Sequence, residues 1–60
     1  MKKLVVVRKD LLEQGISVPV GNDYYGEKEP LEYKWRLDEF YVFYKGFWEE
    51  AFSIDFDFLN

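Results

Sequence analysis

Residues 31–38, Leu-Glu-Tyr-Lys-Trp-Arg-Leu-Asp, alternate apolar and charged side chains without a break. Successive side chains of a β-strand point to opposite faces, so this run predicts a strand with Leu31, Tyr33, Trp35 and Leu37 on a core and Glu32, Lys34, Arg36 and Asp38 in water. No segment of the chain carries a helical apolar period long enough for a stable helix. The search for a fold therefore starts from β-structure.

The next thirteen residues, Phe40 to Phe52, place Lys45-Gly46 between two aromatic-rich runs. Read as a two-residue hairpin turn, Lys45-Gly46 pairs Tyr44 with Phe47, Phe43 with Trp48, Val42 with Glu49, Tyr41 with Glu50 and Phe40 with Ala51. One face then holds Phe40, Val42, Tyr44, Phe47, Glu49 and Ala51, and the other Tyr41, Phe43, Trp48, Glu50 and Phe52. Both faces are aromatic. A sheet on a one-sided core should show one polar face, so either a strongly bent barrel covers both or one face is open to a partner.

The remaining runs are shorter. Leu4–Arg8 is a β-branched strand, and Asp10–Gly15 forms a turn. Ile16–Val20 alternates around Pro19, whose missing donor suits an edge strand. Ser53-Ile54 starts a turn into a closing strand with Ile54, Phe56 and Phe58 on one face and Asp55 and Asp57 on the other. Residues 21–30, Gly-Asn-Asp-Tyr-Tyr-Gly-Glu-Lys-Glu-Pro, read as the longest connection, with one of Tyr24 and Tyr25 folded down on the core and the other exposed. The two glycines have the spacing of a phosphate-binding loop, but Glu27 and Lys28 stand where such a loop needs Lys and then Ser or Thr. Asn22, Asp23, Glu27 and Glu29 do not match the spacing of a calcium loop either.

These elements imply an all-β single domain spanning 1–60, a small five- to six-stranded barrel similar in architecture to SH3 domains. The alternative is an α+β domain with a short helix near 47–53, where Phe47, Trp48, Ala51 and Phe52 also fit helical spacing. The motifs of peptide-binding SH3 domains are absent, so architecture alone transfers no function. A chain of 60 residues has a thin core, and with no Cys and no His it cannot lean on disulfides or the usual zinc, haem or iron-sulfur ligands. Six Phe, five Tyr and two Trp are the filling on offer.

The net charge of −4 is unevenly placed, because Lys2, Lys3, Arg8 and Lys9 precede every acid and all 12 acids lie in residues 10–60. An acidic body repels phosphate backbones and steers a basic surface toward it. The sequence expectation is thus a small acidic non-enzymatic binding protein, an accessory or inhibitor of a larger protein, nucleic-acid-binding proteins included. Its partner-binding residues are Tyr24, Tyr25, Tyr41, Phe43, Trp48 and Glu50. The partner is a protein with a basic or mixed surface, or a second copy in a homodimer; no direct nucleic-acid contact, membrane, metal or cofactor is expected, and the location is cytoplasmic. Two other readings stand beside it: a self-assembling subunit that pairs through the aromatic hairpin, and a small enzyme using dense carboxylates such as Asp38-Glu39, Glu49-Glu50 or Asp55 and Asp57.

Overall fold

The protein is all-β. The computed structural model describes residues 5–9, 17–27 and 29–59. Among them lie seven strands: β1 (Val5–Arg8), β2 (Val18–Val20), β3 (Asp23–Tyr25), β4 (Leu31–Arg36), β5 (Glu39–Tyr44), β6 (Phe47–Ala51) and β7 (Phe56–Phe58), with a 3-10 turn at Ser53–Asp55 before the last. All neighbours are antiparallel, in the order β3-β2-β6-β5-β4-β1-β7. The Asp10–Gly15 turn, Leu4 and Ile16 lie outside the described residues.

Two expectations change. The sheet has seven strands and is not closed, where a barrel of five or six was expected. The extra strand comes from the connection at 21–30: Gly21-Asn22 is a two-residue turn, with Gly21 at φ 61°, and Asp23–Tyr25 folds back on Val18–Val20. This new strand also takes the edge position from β2. Pro19 nonetheless follows the rule, because it shares its hydrogen-bonding side with Gly21, whose N–H donates to Glu50 O at 2.7 Å, and pairing with β6 stops at Val20↔Ala51. Its missing donor faces the place where the ladder has ended. No helix forms at 47–53, since Phe47–Ala51 is fully committed to pairing with β5.

One face of the sheet curls around a core of Val6, Val18, Val20, Tyr25, Phe40, Val42, Ala51 and Phe56. Its wholly buried members are all valines, Val6, Val18, Val20 and Val42. Short β-branched side chains suit the tight concave side of a curled sheet, where neighbouring inward positions crowd. The aromatics are therefore mostly not the core filling: only Tyr25, Phe40 and Phe56 are buried, with Tyr33 and Tyr44 packed against them.

The curl brings β1 close to the segment that follows β3, from the opposite end of the sheet. Arg8 is buried at 4% exposure, and its guanidinium donates from Nη2 to Gly26 O at 2.8 Å and from Nε to Glu27 O at 3.1 Å. A side chain thus bridges the mouth that backbone pairing leaves open. Charge-assisted bonds to two carbonyls also compensate the desolvation of the guanidinium.

A candidate interaction face on the outer side of the hairpin

The β5–β6 register is the one that the Lys45-Gly46 turn implies: Tyr44↔Phe47, Phe43↔Trp48, Val42↔Glu49, Tyr41↔Glu50 and Phe40↔Ala51. Lys45 and Gly46 both have positive φ, 52° and 87°, which is the twist a two-residue hairpin loop requires. Phe40, Val42 and Ala51 consequently face the core, while Tyr41, Phe43, Trp48 and Glu50 face out. β4 adds a third row of outward residues, because Lys34 pairs with Tyr41 and Arg36 with Glu39.

On this outer face Phe43 and Trp48 meet edge to face, with ring centroids 5.3 Å apart. They are 41% and 39% exposed, so each ring offers an open side. Lys34 reaches diagonally across β5 and sets its Nζ 4.4 Å from the Trp48 ring centroid. Such a cation is attracted by the ring's quadrupole and helps to hold the ring in place. Tyr41 donates its hydroxyl to Glu39 Oε1 at 2.8 Å, and that bond pushes the phenol above the usual tyrosine range. Lys34, Arg36, Leu37, Glu39, Tyr41 and Trp48 line a shallow depression here.

Of the residues singled out in the sequence, Tyr41, Phe43, Trp48 and Glu50 come together on this face. Tyr24 is 70% exposed and pairs with Pro19, but β2 separates it from β6. Tyr25 belongs to the core: its ring packs edge to face on Tyr44 at 5.5 Å, its hydroxyl donates to Glu29 O, and burial raises its pKa. The expected division between the two tyrosines is observed, with Tyr25 as the lid and Tyr24 outside. Asp23 accepts from Tyr24 N at 3.0 Å and lies 3.3 Å from Lys45 Nζ, and both contacts lower its pKa, the backbone bond most.

Lys34, Arg36, Leu37 and Glu39 are the members of the face that the sequence did not disclose. The alternation at 31–38 places Leu37 on the core, yet the strand ends at Arg36 and Leu37-Asp38 forms the β4–β5 turn. Leu37 is 92% exposed at φ 56°. A leucine carries no turn signal, and only an Asn, Asp or Gly there would have announced the reversal. Trp35 also leaves the predicted core: it lies one residue from the strand end, leans on Phe40 at 5.2 Å and remains 51% exposed.

Among the described residues no group of His, Cys, Asp or Glu is arranged to hold a metal ion, and no helix is long and apolar enough to cross a membrane. No family model matches the chain, and comparison with curated proteins and with solved structures finds no match.

Proposed function

We propose that this protein is a small non-enzymatic binding protein that engages a larger protein through the outer face of the β5–β6 hairpin. The observation that carries the reading is the Phe43–Trp48 pair: two large aromatics in edge contact, each open to solvent on one side, in the middle of a sheet. Leaving such area in water serves no folding purpose, and Trp and Tyr at the centre of a rigid patch are the usual energetic anchors of protein interfaces. Lys34 stands over Trp48, Glu50 lies two positions along the strand from it, and Arg36 pairs with Glu39 beyond Tyr41, so both signs of charge border the rings. A mixed rim favours a protein surface of mixed charge over a purely basic one, which weighs against nucleic-acid mimicry. Of the acids that density alone singled out, Asp38, Glu39, Glu50 and Asp57 are exposed, a setting for rim contacts more than for chemistry, while Glu49 and Asp55 are half-buried and burial raises the Asp55 pKa.

The test is affinity capture from a lysate of the native cell with wild-type and Trp48→Ala protein, each shown to be folded by circular dichroism. A partner retained by the wild type and lost by the variant supports the reading; equal capture by both contradicts it.

Self-assembly is the second reading. It is favoured by the ends of the sheet, where β3 and β7 each have one neighbouring strand among the described residues. Sedimentation at two concentrations separates the two readings, a concentration-independent monomer counting against assembly.

A further inference from the structure

We propose that the cleft between the Leu37-Asp38 turn and the Phe52–Ile54 segment is a second docking site, which takes one large apolar side chain of a partner peptide flanked by lysine or arginine. The walls are Trp35, Phe52 and Ile54, which are 51%, 60% and 74% exposed, and the floor is the buried ring of Phe40. Isolated exposed apolar side chains are ordinary, but three of them around a concavity with an aromatic floor are a receptor for apolar surface. The cleft holds about 310 Å³, at the low end of ligand sites, which suits a single side chain and not a whole cofactor.

The charge at the mouth selects the occupant. Among the described residues Asp38, Glu39 and Glu50 line the cleft and no basic residue does. Carboxylates beside low-dielectric walls focus a negative potential that draws ammonium and guanidinium groups and repels phosphates and acidic peptides. A second copy of this chain, itself at net −4, meets the same repulsion over most of its surface. A short basic segment with a leucine or an aromatic at its centre meets both requirements at once. This site is separate from the hairpin face, although Glu39 and Glu50 border both.

Titration of isotopically labelled protein with the peptides Lys-Lys-Leu-Lys-Lys and Lys-Lys-Trp-Lys-Lys, followed by amide and indole resonances, tests the proposal. The expected result is saturable movement of the Trp35 indole and of the Phe52 and Ile54 amides, a still Trp48 indole, and no response to Lys-Lys-Ser-Lys-Lys or Glu-Glu-Leu-Glu-Glu. Ile54→Ser, at an exposed position, should keep the spectrum dispersed and weaken binding about tenfold, the equivalent of about 1.4 kcal/mol. Asp38→Asn should weaken it less and flatten its salt dependence. The proposal is overturned by absence of saturable shifts, by equal response to the serine peptide, by movement of Trp48 in place of Trp35, or by the same cleft resonances moving with protein concentration alone. Because Trp35 and Trp48 report separately, failure here leaves the hairpin reading standing, and the reverse holds too.

Discussion

The two faces of the β5–β6 hairpin are built from the same kinds of residue and have opposite fates. Phe40 and Phe43 are three positions apart on one strand, yet Phe40 is 3% exposed and Phe43 is 41% exposed. Parity in the strand, fixed by a two-residue turn at Lys45-Gly46, decides which one enters the core. The inner face buries Phe40, Val42 and Ala51, and only Phe47, beside the turn, stays largely in water. The outer face leaves about 40% of Phe43 and of Trp48 in water, and that exposed aromatic area is what singles it out as a place of contact.

The largest effect should come from the inner face. Phe40 touches Tyr33, Trp35, Phe56 and Phe58, joining β4, β5 and β7, so Phe40→Ala should cost about 3–5 kcal/mol, read by urea unfolding. The core of a chain of 60 residues rarely supplies more than about 3–5 kcal/mol, so the variant should be largely or wholly unfolded at 37 °C. Trp35→Ala, in spite of its larger ring, should cost about half as much, because half of that ring is already in water. Equal losses would mean that Trp35 is core after all and would shrink the contrast between inside and outside.

Arg8 tests whether the inner face is held closed by side chains. Arg8→Met keeps the apolar stem and removes the donors to the Gly26 and Glu27 carbonyls, at a cost of about 1–3 kcal/mol. Amide exchange from Tyr25 to Glu27 should accelerate more than exchange in β5. Uniform acceleration would show that the bridge across the mouth is not local in its effect.

Leu37 tests the outer face from the other direction. Its left-handed backbone at φ 56° disfavours any side chain, and at 92% exposure it gains no packing in return. Leu37→Gly should therefore raise stability by about 1 kcal/mol, measured as an increase in the urea midpoint. A loss of stability would mean that the leucine is packed in solution and that the outer depression is narrower than described.

Much of the fold was legible in the sequence, and the limits have physical causes. The register of β5–β6 follows entirely from Lys45-Gly46, since a two-residue loop leaves one way to pair the flanking residues. The alternation at 31–36 gives β4 and its faces, but it continues smoothly through Leu37-Asp38, so the turn there is invisible to periodicity. β3 was hidden because Asp23-Tyr24-Tyr25, flanked by glycines, has a loop's composition; it becomes a strand only once Val18–Val20 lies beside it. Open as against closed curvature depends on whether β3 and β7 meet, which no local pattern encodes. The candidate face was half legible: residue type and parity gave Tyr41, Phe43, Trp48 and Glu50, whereas Lys34 over Trp48 needs β4 placed beside β5. Tyr25 was grouped with that face because adjacent tyrosines look alike until the strand sends one inward.

The difference between the faces rests finally on Trp48. Titration of the captured partner against Trp48→Ala, under conditions where urea melts show both proteins folded, measures its contribution directly. Trp48 is 39% exposed, so the variant should lose about 2–3 kcal/mol of stability, less than Phe40→Ala, and at least tenfold in affinity. Unchanged affinity, or a loss of folding as large as that of Phe40→Ala, would contradict the assignment of the outer face to a partner.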